Sequence, residues 1–294
     1  MIDKTELIVN SDGSIFHLHL LPEDIAQDII IVGDQGRVEM FSSILDTVIV
    51  RKSNREFYTV TGTYKGNDVT IISSGIGTDN IDIVVNELDA IANIDLKSGM
   101  VKDEPVALNF VRIGTSGSLQ ADLPAGSFVL SETAVGFDGL IHFYEGYEHL
   151  LDNGLADAIV YYTEWPDNLS YPYAIKADAS MLKLFDTGDF IKGITISTPG
   201  FYAPQGRRLR LNPFDSEIND KLGDIDYKGR KITNYEMESS AIYGLGRMLG
   251  HKPLTVCLII GNRATGDFLS DYKPAMMNLA IKVLDRLPFS NDNF

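Results

Sequence analysis

Three glycine-bearing segments, two of them with an arginine, are the parts of this sequence best suited to holding a small anion. They are Gly33-Asp-Gln-Gly-Arg37, Gly75-Ile-Gly77-Thr-Asp-Asn80 and Arg112-Ile-Gly-Thr-Ser-Gly117, and each is expected to form a turn after a strand. Glycine lets backbone N–H groups approach an anion closely. Arginine donates two parallel hydrogen bonds to a phosphate from one planar fork. Any one such segment is an ordinary structural turn. Two Gly/Arg turns in an acidic chain point to a phosphate site.

Two further segments carry recognition chemistry. Asn234-Tyr-Glu236-Met-Glu238-Ser239 opens a Met/Ala/Leu-rich stretch. Read alone, its acids are best explained as favourable charge at a helix start. The functional reading is a carboxylate for sugar hydroxyls beside a methionine. Phe201-Tyr-Ala-Pro-Gln205-Gly-Arg207 offers an aromatic face, an amide and a guanidinium. Uracil presents acceptor, donor and acceptor along one edge, which Gln and Arg can match. Arg207 is also suited to stabilising negative charge on a departing pyrimidine. The plain alternative is a basic surface loop, since Arg208 and Arg210 follow.

Other motifs fail. Gly75-Ile-Gly77 lacks the third glycine of a dinucleotide fingerprint, and no Gly-Lys-Ser/Thr marks a P-loop. Gly114-Thr-Ser116-Gly-Ser118 is not a nucleophile elbow, because position 118 is serine. His17 and His19 lack further ligands nearby, so no metal is expected. His142, His149 and His251 read as surface or structural residues.

The elements that must position these segments alternate between strand-like and helix-like, which predicts an α/β fold. Strands are expected at 28–33, 106–113, 127–135, 191–198 and 254–260. A hairpin is expected over 56–74 around a Gly66-Asn67 turn. Helical spacing covers 81–96, 235–249 and 274–287. The stretch 165–173 reads as a loop. No linker or repeat divides the chain, so one domain is expected over residues 1–294.

The chain carries a net charge of −16, which disfavours nucleic acids and anionic membranes as partners. Its single cysteine, Cys257, lies in an apolar run and reads as a core residue of a protein from a reducing compartment. The N-terminus lacks the order of a signal peptide, and no run is long enough to span a membrane. A cytoplasmic location is expected.

In order along the chain, these segments resemble the uridine phosphorylase branch of the nucleoside phosphorylase family. The likeness begins at Phe16-His17-Leu-His-Leu20 and takes in Gly33–Arg37, Asn54-Arg55-Glu-Phe57 and Ser74-Gly-Ile-Gly77. It continues through Arg112–Gly117, Phe201–Arg207 and Asn234–Ser239, and ends at Asn262-Arg263. It implies a mixed sheet, partly closed into a barrel and surrounded by helices. It implies phosphorolysis of uridine to uracil and ribose 1-phosphate, with phosphate as co-substrate and no cofactor. Gly33, Arg37, Arg112 and Thr115 would hold phosphate, with Arg55 supplied by a neighbouring subunit. Glu238, Met237 and Glu236 would meet the ribose, with His17 from the neighbour. Phe201, Gln205, Arg207 and Gly117 would form the base site. Arg112, Arg207, Gln205 and Glu238 are the catalytic candidates.

Shared sites imply a homo-oligomer, at least a dimer. The sequence departs from the family at Gln35, where proline is usual, and at Ala203-Pro204, where glycine usually precedes Gln205. Asn80 replaces a serine that lies near an interface potassium site in some relatives, so that metal is not carried over. Purine-cleaving relatives have a Ser-Asp pair after the late strand. Here Gly261-Asn262-Arg263 follows, with no aspartate until Asp267, which favours a pyrimidine. A purine nucleoside phosphorylase, or another nucleosidase of this fold, is the alternative.

Overall fold

Every residue of Asp28–Val32 is buried in the computed structural model, which describes residues 1–289. Burial on both faces marks an interior parallel strand. This strand, β1, lies between two parallel neighbours. Helix α1 (Gln35–Ser42) follows at once, capped by the Asp34 carboxylate, which accepts from Arg37 N. Strands β2 (Thr47–Asn54), β3 (Phe57–Tyr64) and β4 (Asn67–Ser73) form an antiparallel meander. Helix α2 (Thr78–Asn93) buries the apolar face predicted by its spacing, including Ile81, Val84, Val85, Leu88 and Ile91. A small hairpin of β5 (Ile94–Asp95) and β6 (Met100–Val101) follows.

The second part of the chain builds the barrel. It comprises β7 (Asn109–Ser118), β8 (Phe128–Gly136), α3 (Asn153–Thr163), β9 (Tyr173–Lys176), α4 (Ala179–Phe185) and β10 (Ile191–Ser197). Then come α5 (Ile218–Gly223), β11 (Asp226–Tyr227), β12 (Arg230–Glu236), α6 (Ser239–Met248), β13 (Lys252–Asn262) and α7 (Lys273–Leu284). The sheet runs β11-β12-β10-β8-β13-β7-β1-β4-β3-β2, with β9 beside β8. The far end of β7 also pairs with β12, through Gly117↔Tyr235 and Ser118↔Asn234. That contact closes β7, β13, β8, β10 and β12 into a ring. The result is the mixed, partly closed sheet with surrounding helices expected from the sequence.

Several boundaries differ, each for a physical reason. The hairpin turn is Lys65-Gly66 and not Gly66-Asn67. Tyr64 pairs with Asn67, and both turn residues take positive φ, 50° and 79°, as a two-residue primed turn requires. Helix α2 stops before Ile94, although Ile94 and Leu96 still pack on the core and extend the apolar spacing. The stretch expected to be helical from Tyr235 begins as strand: Tyr235 and Glu236 pair with Ile196 and Ser197 of β10. Arg112–Gly117 is no turn but the middle and end of β7, carried past the sheet to close the barrel.

Candidate active site

Ligands in α/β sheets bind beyond the carboxyl ends of the strands. Here the ends of β1, β4, β7, β10, β12 and β13 surround a cleft of about 380 Å³. It has an arginine-rich end, an acidic middle and an aromatic–amide end.

Gly33, Arg37, Arg112 and Thr115 line the first end. Arg37 is held by Asp34 Oδ2 at 2.5 Å and donates to the Ile113 carbonyl at 3.2 Å. A Cβ at position 33 would lie 2.7 Å from Arg37 Nη2, so glycine there is a matter of room. Arg112 is buried, with 4% of its surface exposed at the cleft. Its Nη1 lies 3.1 Å from Glu236 Oε2, and its Nη2 pairs with Glu238 Oε2. Burial opposes the guanidinium charge, but the Glu238 and Glu236 carboxylates outweigh it and hold Arg112 protonated. Gly114 makes space for this group: a Cβ there would sit 2.0 Å from Arg112 Nη1. Cys257, read as a core residue, is buried but not merely core. Its Sγ accepts from Arg112 Nη1 at 3.7 Å, and burial pushes the thiol up to about 12, with Arg112 opposing.

Glu236, Met237 and Glu238 line the middle of the cleft. Glu238 is the N-cap residue of α6, and its Oε1 accepts from Gly77 N at 2.9 Å. Gly77 belongs to the second glycine segment, so two distant motifs meet here. Burial raises the Glu238 carboxyl above its usual value, with Arg112 pulling the other way.

Phe201, Gln205, Arg207 and Gly117 line the other end. Arg207 Nη1 donates to Gln205 Oε1 at 2.5 Å and to the Phe201 carbonyl at 2.6 Å. Its guanidinium also lies over the Phe201 ring, 3.6 Å from the centroid, covering one of the ring's stacking faces. Burial, then the neighbouring Arg263, brings Arg207 down to about 10, so it stays cationic at neutral pH.

Arg263 was not among the candidate site residues. It donates to the Gln205 backbone carbonyl at 2.6 Å and to Gln205 Oε1 at 2.7 Å, and it lies over Tyr235. Gln205 Nε2 in turn donates to Thr198 Oγ1 at 3.0 Å, which fixes the amide's orientation. Arg263 Nε and the Tyr235 hydroxyl are buried without a hydrogen-bond partner among the described residues. Buried polar atoms in that state suit a site that receives a polar ligand. The sequence did hold one signal for Arg263, its place in Asn262-Arg263, the last segment of the family likeness. In the structure Gly117 lies opposite it, where a Cβ would be 3.2 Å from Arg263 Nε.

Asp267 and Phe268 also line the cleft, and Thr265 Oγ1 donates to Asp267 Oδ2 at 2.7 Å. His17 and Arg55 do not line it. They share a separate surface, where Asn54 Nδ2 donates to the His17 carbonyl at 2.8 Å and Arg55 lies 5.7 Å from the Phe16 ring centroid. His17 Nδ1 is 2.6 Å from Glu87 Oε1. Arg55 is exposed, at a tight turn with φ 54°.

Comparison with known proteins adds independent evidence. The sequence pattern of the phosphorylase superfamily matches residues 27–287. A uridine phosphorylase of Thermococcus kodakarensis is 29% identical over 259 residues, 87% of this chain and 80% of the relative. A guanosine phosphorylase of Halorubrum lacusprofundi is 27% identical over 251 residues, 85% of each chain. Among solved structures, a Trypanosoma brucei nucleoside phosphorylase described as showing uridine phosphorylase activity superposes with a TM-score of 0.84. It is 28% identical, and the match covers 95% of this chain and 98% of that one.

Proposed function

This chain belongs to the phosphorylase superfamily, and from that premise we propose that it catalyses reversible phosphorolysis of uridine to uracil and ribose 1-phosphate. The observation that carries this reading is that one cleft gathers Arg37 and Arg112 beside Gly33 and Thr115, the buried Glu238 carboxylate beside Met237, and the cluster of Phe201, Gln205 and Arg207.

In this account phosphate is the nucleophile and no side chain attacks. Gly33, Arg37, Arg112 and Thr115 hold it below the anomeric carbon. A guanidinium has five N–H donors. Cys257 and Glu238 take one each from Arg112, with Glu236 beside Nη1 as an ion pair, so N–H donors remain for the anion. Positioning of this kind is worth up to about 7–11 kcal/mol in ideal cases. Glu238 accepts the ribose hydroxyls and Met237 packs on the sugar. Negative charge developing on the departing uracil meets Arg207 and Gln205, with Phe201 and Gly117 around the ring. Removing one such donor typically costs on the order of a hundredfold or more in turnover.

His17 and Arg55 enter as residues given to a second copy's site, which makes the working enzyme a homo-oligomer. Their shared surface away from this chain's own cleft supports that reading. Cytoplasmic pyrimidine salvage fits an acidic chain with one buried cysteine and no helix, among the described residues, long and apolar enough to cross a membrane.

Purine phosphorolysis is the second reading, favoured by the Asp267 carboxylate at the cleft wall. Turnover of uridine and inosine with and without phosphate decides between them. Phosphate-dependent release of uracil supports the first reading, and release of hypoxanthine alone overturns it.

A further inference from the structure

The two glutamates that face Arg112 are not equivalent. Glu236 ends β12 with a side chain only 1% exposed. Its Oε1 accepts from Ser197 Oγ and from Ser239 N at 3.1 Å, its Oε2 accepts from Glu238 N at 2.9 Å and from Ser239 N at 3.0 Å, and Arg112 Nη1 stands 3.1 Å from Oε2 as an ion pair. A carboxylate offers about four lone-pair sites. These four hydrogen bonds fill them, and none is left for a sugar hydroxyl. Glu238 accepts from Gly77 N and Arg112 Nη2 among the described residues. About two of its sites therefore stay open toward the cleft.

Taking uridine phosphorolysis as the reaction, we infer that Glu236 is a positioning residue locked by Ser197, setting phosphate binding through Arg112 while Glu238 takes the ribose hydroxyls. Ser197 is the last residue of β10, wholly buried and in register with Glu236 on β12. Its hydroxyl accepts from Ser240 N at 2.9 Å, so its single proton is free to go to Glu236. The N–H groups of Ser239 and Ser240 belong to the first turn of α6 and have no partner within the helix. Glu236 and Ser197 satisfy them from outside. The same contacts fix the backbone of Met237 and Glu238, and on its outer side the Glu236 carboxylate steadies the Arg112 fork. Behind this layer, Ser240 Oγ donates to Asp138 Oδ2 at 2.8 Å, and Asp138 also accepts from the Tyr173 hydroxyl. The polar network is thus continuous from the cleft into the core.

The test compares Ser197→Ala, Glu236→Gln and Glu238→Gln on uridine, 2′-deoxyuridine and 3′-deoxyuridine. Phosphate affinity is measured separately by calorimetry without nucleoside. A residue that binds a ribose hydroxyl loses most on the substrate that carries it. Glu238→Gln is expected to penalise uridine about tenfold more than the deoxynucleosides, the scale of a hydrogen bond to a charged group. Glu236→Gln and Ser197→Ala are expected to penalise all three nucleosides alike. In Ser197→Ala, which only removes a hydroxyl from a packed site, phosphate binds about tenfold more weakly. A uridine-selective loss in Glu236→Gln overturns the inference, as does unchanged phosphate affinity in Ser197→Ala. The calorimetric result stands whatever nucleoside is cleaved. Failure of the wild-type protein to turn over any pyrimidine nucleoside would instead strike the proposed reaction.

Discussion

Replacing Gly114 with alanine should disable phosphate use without substituting any residue that contacts phosphate. The added Cβ would lie 2.0 Å from Arg112 Nη1 and 2.7 Å from its Cζ. Real contacts are longer by more than an ångström, so the guanidinium has to shift by roughly that much. Elsewhere an arginine tip yields cheaply, but this one is pinned by Glu236, Glu238 and Cys257 in a buried site. Gly114 lies in strand β7 without a positive φ, so alanine adds no backbone strain and the effect is purely one of contact. Misplacing a positioning group by about 1 Å costs on the order of a hundredfold in rate, equivalent to about 2.7 kcal/mol of transition-state stabilisation. The assay is initial rate against phosphate at saturating uridine, with kcat/KM for phosphate as the readout. Parallel thermal unfolding checks that the protein stays folded. The expected result is a folded protein with kcat/KM for phosphate down about a hundredfold. A folded variant within twofold of wild type would refute the placement of Arg112 at the anion end.

Other expectations follow from the same geometry. Arg112→Ala should abolish phosphorolysis and also lower stability by about 3–5 kcal/mol, because it leaves two buried carboxylates without their cation; denaturant unfolding measures the second effect. Arg207→Ala should raise KM for uridine far more than KM for phosphate, and equal changes in both would remove Arg207 from the base site. Burial raises the Glu238 carboxyl, and its ionised form is the one that accepts hydroxyls and pairs with Arg112. Activity therefore falls as pH drops through that raised value, and the acid limb of kcat/KM for uridine should lie above 4.5, the unshifted value. A limb at or below 4.5 contradicts this. Asp267→Asn should leave uridine cleavage largely unchanged under the pyrimidine reading, which gives Asp267 no contact with the base; loss of inosine cleavage in that variant would favour the purine reading.

The sequence made the site's ingredients legible because its recognition segments sit at strand ends, where short motifs survive. What it hid was non-local. Arg112 meets Glu238 across 126 residues of chain, and nothing in local spacing announces that pair. Gly114 and Gly117 looked like a turn because glycine is rare inside strands. Their actual reason is the close approach of Arg112 and Arg263 side chains. Tyr235 and Glu236 were drawn into a helix by the helix-forming residues that follow, while pairing with β10 and β7 overrode that propensity. His17 and Arg55, which the resemblance gives to a neighbouring copy's cleft, lie outside the cleft of this chain.

The most direct test of the central claim is product analysis of the purified protein with uridine, run with and without inorganic phosphate. The account predicts uracil and ribose 1-phosphate in equal amounts, formed only when phosphate is present. Free ribose formed without phosphate, or no uracil at saturating phosphate, would contradict it.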